Sequence, residues 1–245
     1  MNILILAAGR VHFDSNDNNY PLCLTELDGT PLIERLISSC KVIDNAKFII
    51  ALRESDICCY HLDNIIHLLA PNAKIIRITA DTCGAACTAL LAAGTINNDE
   101  ELLILNGNEL LNENFSKILK DFRLRNLVAG TVVFSSIHPR YSYVRLNTEN
   151  LVIEAAEKNP ISRHATAGFY WFLQGKDFVR AAQNMMRKDA SVNGLFYICP
   201  SLNELVLEQA RIGIYPIHAH QYHPLKTERH LTTRYEVSYE TEKSL

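Results

Sequence analysis

The chain has 245 residues, 48% of them hydrophobic, with 24 Lys and Arg against 27 Asp and Glu and a formal net charge of −3. That apolar content is enough for the core of one large α/β domain. The near-neutral balance lacks the basic excess of a nucleic-acid binder, and no apolar run reaches the ~18 residues of a bilayer span, so neither a nucleic-acid nor a membrane partner is expected. The seven cysteines, at 23, 40, 58, 59, 83, 87 and 199, are odd in number and scattered. Such spacing is too sparse for a disulfide framework and suits a reducing, cytoplasmic compartment. The N-terminal run Met1-Asn2-Ile3-Leu4-Ile5-Leu6 lacks a basic flank and reads as a buried strand rather than a signal peptide.

The first 135 residues alternate strand-like and helix-like segments. A short apolar strand over 2–7 is followed by a helix over 31–43, with Leu32, Ile33, Leu36, Ile37 and Cys40 at helical spacing. Thr30 is the expected cap and Pro31 the first-turn residue. Lys47–Leu52 reads as a strand, and 56–69 as one helix with Leu62, Ile65, Ile66 and Leu69 inward. A strand over 74–79, a helix over 84–95, a strand over 101–106, a helix over 112–124 and a strand over 127–134 continue the pattern. This alternation predicts βαβ units in a doubly wound, mainly parallel sheet. Ligands of such sheets sit beyond the carboxyl ends of the strands. Here those ends are Ala7-Ala8-Gly9, Leu52-Arg53, Thr79-Ala80-Asp81 and Asn106-Gly107-Asn108.

Beyond residue 135 the pattern changes. Tyr141–Leu146 and Leu151–Ala156 predict a hairpin, and Thr166–Leu173 an aromatic-rich strand. Helices near 175–188 and 200–210 and a strand over 212–217 complete a small C-terminal lobe that closes over the ligand edge. From about residue 225 the tail is charged and aperiodic, hence peripheral. The expected organisation is one domain over 1–230, with halves 1–135 and 136–230, and a tail over 231–245.

Several segments occur in an order that carries a resemblance. They are Ile5-Leu6-Ala7-Ala8-Gly9-Arg10, Asp28-Gly29-Thr30-Pro31-Leu32-Ile33-Glu34, Thr82-Cys83-Gly84-Ala85-Ala86 and Leu103-Ile104-Leu105-Asn106-Gly107-Asn108-Glu109. The second half adds His138-Pro139-Arg140-Tyr141-Ser142-Tyr143-Val144, Ala156-Glu157-Lys158-Asn159-Pro160-Ile161-Ser162, His164-Ala165-Thr166-Ala167-Gly168 and Val192-Asn193-Gly194-Leu195-Phe196-Tyr197. Together, over roughly residues 1–230, the chain resembles the sugar-phosphate nucleotidyltransferases, which join a nucleoside triphosphate to a sugar 1-phosphate and release pyrophosphate. The resemblance implies a GT-A-type nucleotide-binding fold. It also implies in-line attack by the sugar phosphate on the α-phosphorus, with the protein positioning groups and neutralising charge. It places Ala7, Ala8, Gly9, Gly84, Ala85 and Asn106 against a nucleotide. Glu157, Lys158, Gly168 and Asn193 fall against a sugar phosphate, with Gly168 letting backbone approach the ligand.

Three family features are altered. The phosphate-cradling loop reads Arg10-Val11-His12-Phe13-Asp14-Ser15-Asn16-Asp17-Asn18-Asn19, without glycine and with two carboxylates that repel a triphosphate. Leu22 stands where the family has a phosphate-facing Lys, and Asn108 where it has the Mg²⁺-holding Asp, so a Mg²⁺ cofactor is weakened. Each such loss costs about 2.7–4 kcal/mol of charge stabilisation. Arg10 and His12 are the candidate substitute cations.

His218, His220 and His223 form an H-x-H-x2-H array that a metal can use, though a polar strand end produces the same pattern. Cys83 and Cys87 read as partly buried thiols, and Tyr141, Tyr143, Tyr170 and Trp171 as lobe core rather than a stacking platform. No G-x-S-x-G, H-E-x-x-H, P-loop or D-x-D motif occurs. Three readings follow: a binder of a nucleotide sugar or sugar phosphate with lost or altered catalysis; an active enzyme making a nucleotide-diphosphate sugar for surface polysaccharide; or a non-binding interaction module with a closed pocket, partner of an active paralogue. A homo-oligomer is the other expected partner.

Overall fold

The computed structural model describes residues 1–9 and 20–225. The segment 10–19, with Arg10 and His12, and the tail from 226 lie outside the described residues. Strand β1 (Asn2–Leu6) is central, with Ile3, Leu4 and Ile5 fully buried. On one side it pairs in parallel with β4 (Lys47–Arg53), which pairs in parallel with β5 (Lys74–Ile78). On the other it pairs in parallel with β6 (Leu102–Asn106). The chain therefore runs outward through β4 and β5, then returns past β1 to β6. That reversal is the topological switch point of a doubly wound sheet, where a crevice opens beyond the strand ends.

Strand β11 (His164–Phe172) continues the sheet in antiparallel pairing with β6. Strand β8 (Ala129–Ser135) is antiparallel to β11 and so points the same way as β6, and β12 (Ile212–Pro216) joins β8 in parallel. Apart from β11, this main run is all parallel. The expected hairpin forms as β9 (Ser142–Leu146) and β10 (Val152–Glu157), attached to the start of β11 through Ala165 and Tyr143.

Both faces of the sheet are apolar, as a sheet covered on both sides requires. Ile3, Ile5, Ile50, Leu103 and Trp171 point to one layer, formed by α1 (Leu32–Cys40) and α6 (Phe115–Leu124). Leu4, Ile49, Ile104, Tyr170 and Phe172 point to the other, formed by α7 (Gly175–Arg187) and α8 (Ile198–Leu207). Period-two alternation along each strand divides the core in this way.

Several local expectations are corrected. Thr30 does not cap α1; Thr30 and Pro31 form β3, paired with β2 (Glu26–Leu27), and no side chain caps the helix. The helix over 56–69 is two helices, α2 (Glu54–Tyr60) and α3 (Leu62–Leu69), broken at His61, which adopts the left-handed region at φ 53°. Leu62 and Ile66 are its buried pair, with Ile65 and Leu69 half-buried. The helix over 84–95 is likewise α4 (Ala85–Leu90) and α5 (Ala93–Ile96). The short pair β7 (Glu109–Leu111) and β13 (Tyr222–Pro224) was not expected; it ties the end of the described chain to the β6 turn.

Phe122 of α6 is fully buried and stacks on Trp171 at 5.6 Å between ring centroids. This contact binds the α6 layer to β11. Phe122→Ala should cost about 3–5 kcal/mol, read as a fall in the urea midpoint at unchanged slope.

Candidate functional site

A cavity of about 540 Å³ opens at the switch point. One side of it begins at the end of β1, where Ala7, Ala8 and Gly9, the residues expected against a nucleotide, line the wall. Opposite, Asn106, Gly107 and Asn108 line it from the end of β6. The loop entering α4 supplies Thr82, Gly84, Ala85 and Thr88. Thr82 Oγ1 and Thr88 Oγ1 lie 2.6 Å apart, and Thr82 Oγ1 also donates to the Gly84 carbonyl at 3.3 Å. Gly84 has φ 108°, and a Cβ there would fall 2.4 Å from the Phe196 carbonyl oxygen. Its missing side chain thus admits the 192–196 segment, which bonds to this loop through Phe196 N to Cys83 O at 2.7 Å and Ala86 N to Phe196 O at 3.0 Å.

Leu22 and Asn108 are both in the wall. Leu22 opens a 3₁₀ turn over Leu22–Leu24, is 8% exposed, and belongs to the core cluster of α1. The position is apolar and packed. Asn108 carries a neutral side-chain amide, and its backbone carbonyl accepts from Leu225 N at 2.9 Å. Its neighbour Glu109, to which the sequence reading gave no role, is a buried carboxylate in the wall. Asn106 Nδ2 donates to Glu109 Oε2 at 3.1 Å.

On the β9–β10 side, where the resemblance places a sugar phosphate, Glu157 is buried and accepts from Ser142 Oγ. Lys158 sits outside the lining, at the rim. Its backbone is left-handed at φ 54°, and Nζ donates to the Tyr197 hydroxyl at 3.0 Å. That hydrogen bond holds the ammonium above the usual lysine range, so it is charged at neutral pH. Asn193 also lies outside the lining. With Gly194 it forms the tip of a tight turn, φ 54° and 74°, closed by the Val192–Leu195 bridge. Its role in the fold is that turn, while Leu195 and Tyr197 reach the cavity. Of the four aromatics, Tyr143, Tyr170 and Trp171 are buried in the core as expected, while Tyr141 is half-buried; Tyr141 and Tyr170 also line the cavity. Tyr170 OH lies 2.8 Å from Thr166 Oγ1, and burial pushes its phenol well above the ordinary range.

Gly168 lines the cavity. It sits at φ +67° where the β11–β8 register slips, four steps along β11 from Thr166 to Tyr170 against two along β8 from Val133 to Thr131. A Cβ there would lie 1.7 Å from Glu109 Oε2. The space it leaves is filled by the protein's own carboxylate, and backbone still reaches the cavity wall. Gly168→Ala should destabilise the fold by about 1–3 kcal/mol or more. Glu109→Ala in the same chain should return part of that loss in a double-mutant cycle, because it removes the atoms in collision.

The described residues contain no group of three or more His, Cys, Asp or Glu able to hold a metal ion. His218 and His220 stack with their rings 5.4 Å apart and 9° from parallel, and His223 lies in β13 paired with Leu110 of β7. At the end of β6 the oxygen donors are the Asn108 amide and the Glu109 carboxylate; a Mg²⁺ ion there would have one carboxylate and would take its remaining oxygens from ligand phosphates and water. The sequence reading gave no individual role to Arg53, Ser142 and Thr166, all in the wall. Arg53 and Asp81 were legible as strand ends, which is the signal that could have found them.

The seven thiols are free. Burial pushes Cys23 and Cys40 up to about 12 and Cys199, beside Glu157, higher still. These three stay protonated and shielded at pH 8, whereas Cys58, Cys59 and Cys83 are exposed. A disulfide-exchange reagent at pH 8 should label the exposed thiols of the native protein first. Peptide mapping should find Cys23, Cys40 and Cys199 unlabelled until urea unfolds the chain.

No protein-family model matches the chain. It is 27% identical over 177 residues to the bifunctional protein GlmU of Methanococcus aeolicus, an alignment covering 70% of this chain and 40% of that protein. The chain thus spans about two fifths of that curated relative's length. Among solved structures, it superposes on the nucleoside-diphosphate-sugar pyrophosphorylase of Vibrio cholerae RC9 with a TM-score of 0.80 at 20% identity, over 96% of this chain and 99% of that one. It superposes on the inositol-1-phosphate CTP transferase of T. maritima with a TM-score of 0.74 at 14% identity, over 94% and 90% of the two chains. The fold is therefore that of the nucleotidyltransferases, as the resemblance implied.

Proposed function

We propose that this chain belongs to the sugar-phosphate nucleotidyltransferase family and binds a nucleotide sugar or sugar phosphate at the switch-point cavity, with catalysis lost or altered. The carrying observation is the unequal state of the two halves of one cavity. The sugar half keeps Glu157 buried on Ser142, with Lys158 charged at the rim. The nucleotide half has a packed Leu22 and a neutral Asn108 where the family places its cation and its metal-holding carboxylate. Positioning and charge neutralisation carry phosphoryl transfer, so these two changes remove most of its driving force. The likeness to nucleotide-sugar enzymes supports the ligand class.

A second reading, an active nucleotidyltransferase with rearranged phosphate contacts, is favoured by one observation: an arginine, Arg53, lines the nucleotide half. A module with a closed pocket is not favoured, because the cavity is open and polar groups face it. The described residues contain no helix long and apolar enough to cross a membrane. A cytoplasmic setting and a role in surface-polysaccharide synthesis, through self-association or an active paralogue, complete the proposal.

The test is a thermal-shift panel of nucleoside triphosphates, sugar 1-phosphates and nucleotide-diphosphate sugars, each with and without Mg²⁺. A ligand at 100 times its Kd adds about 2.7 kcal/mol. Sugar phosphates or nucleotide sugars should raise Tm, and enzyme-like pyrophosphate release with any pair should be absent. Turnover at ordinary enzyme rates would overturn the loss of catalysis, and a flat panel would overturn the binder. Leu22→Lys with Asn108→Asp should add Mg²⁺-dependent triphosphate binding.

A further inference from the structure

The β4–β5 side of the cavity carries an ion pair with an unfilled valence. Arg53 closes β4, Asp81 follows β5, and Arg53 Nη1 lies 2.8 Å from Asp81 Oδ1. The pair is lopsided: the Arg53 side chain is 15% exposed and that of Asp81 69%. Arg53 Nε is buried and has no hydrogen-bond acceptor. Both residues line the cavity. A buried N–H without an acceptor is costly, and a ligand that supplies the acceptor removes that cost.

The sheet register says where this guanidinium is anchored. Leu6 pairs with Ala51, and Ala7 N donates to Ala51 O at 3.0 Å. Continuing that register sets Arg53 abreast of Ala8, one strand spacing of about 4.8 Å away. Arg53 therefore flanks the Ala7-Ala8-Gly9 turn at the switch point. The charge inventory points the same way. Among the described residues that line the cavity, Arg53 and Arg140 are the cations, against Asp81, Glu109 and Glu157. Arg140 belongs to the sugar half, beside Tyr141, with its Nε donating to His138 Nδ1 at 3.2 Å.

We propose that Arg53 is the phosphate-binding cation of the nucleotide half, with Asp81 as its displaceable counter-ion. This inference rests on the reading of the cavity as a nucleotide-sugar site. Its ligand is the phosphate chain of a nucleoside di- or triphosphate group, gripped at a different place in the wall from the lysine position that Leu22 fills. The planar guanidinium offers Nε–H and an Nη–H as a fork that matches two phosphate oxygens. In the structure Asp81 occupies Nη1, leaving Nε unmet. An exposed carboxylate contributes little as an ion-pair partner, so an incoming phosphate displaces it easily.

Isothermal titration with nucleoside triphosphates, a nucleotide-diphosphate sugar and a sugar 1-phosphate tests this on the wild type, Arg53→Gln, Arg53→Lys and Asp81→Asn. Arg53→Gln should weaken the nucleotide ligands about 10- to 100-fold, with Arg53→Lys in between because it keeps charge but not the fork. Asp81→Asn, an exposed change that leaves folding intact, should tighten them several-fold. Sugar 1-phosphate affinity should stay the same in all three variants. Nucleotide affinity unchanged by Asp81→Asn and by a folded Arg53→Gln would overturn the proposal and leave a structural ion pair. Wild-type binding of sugar phosphate without any nucleotide would overturn it too, while sparing the sugar-phosphate binder. Binding of nothing in the panel would bring down the functional reading along with it.

Discussion

The cavity depends on one irregular point in one strand. At Gly168 the β11 backbone turns through φ +67°, and two extra residues are absorbed relative to β8. Before that point β11 meets β9 at Ala165; after it, from Phe169 onward, it meets β6. One strand therefore serves two neighbours, and Ser142 of β9, Glu109 after β6 and Gly168 itself line the cavity where they part. Glu109, at the turn out of β6, fills the place of the missing Cβ and is held there by Asn106. A side chain at 168 would close the site by displacing the carboxylate that shapes it. Glycine is needed here for its backbone angle and for its absent atoms alike.

The same geometry sets the electrostatics. Two buried carboxylates, Glu109 and Glu157, face a cavity whose described cations are two arginines on opposite sides. Such a wall suits a ligand whose hydroxyl-rich end lies among acceptors and whose anionic end reaches outward to Arg53, Arg140 and the rim Lys158. A ligand that is anionic throughout would meet repulsion over half its length. A phosphate ester of a polyol, free or joined to a nucleotide, meets that requirement.

Much of this was legible in the chain. The apolar runs at 2–6, 47–53 and 102–106 alternate with helical spacing at 32–40 and 115–124, and hydrophobic periodicity is the strongest signal a sequence carries. The strand ends, and with them Ala7, Asn106 and Asn108, followed from that alternation. Illegible features were those decided by partners far away in sequence. Thr30 looks like a helix cap, but pairing of Leu27 with Thr30 takes it into a small ladder instead. His61 breaks a helix with no glycine or proline to announce it. Asn193-Gly194 forms a tight turn that its local chemistry explains and its motif did not announce. Arg53 was legible as a strand end, but its buried Nε and its pairing with Asp81 are set by the neighbouring strand β5, and the burial of Glu109 is set by the gap at Gly168.

Leu22 shows how the altered site and the stability of the fold are linked. A lysine at this packed position brings a charge into low dielectric, a cost of several kcal/mol unless an anion answers it. Leucine removes that cost and adds about 1.5–3 kcal/mol of apolar burial. On the proposed reading, leucine stabilises the empty state relative to one loaded with a triphosphate. On the β9–β10 side of the cavity the charged groups have partners within the protein: Glu157 is buried and accepts from Ser142 Oγ, and Lys158 Nζ donates to the Tyr197 hydroxyl. Burial of a carboxylate is tolerated only where other groups satisfy it, and Ser142 does so here. The wall therefore holds an apolar side chain at 22, where a cation would need a bound anion to answer it, and charges at 157 and 158 that the protein's own hydroxyls support.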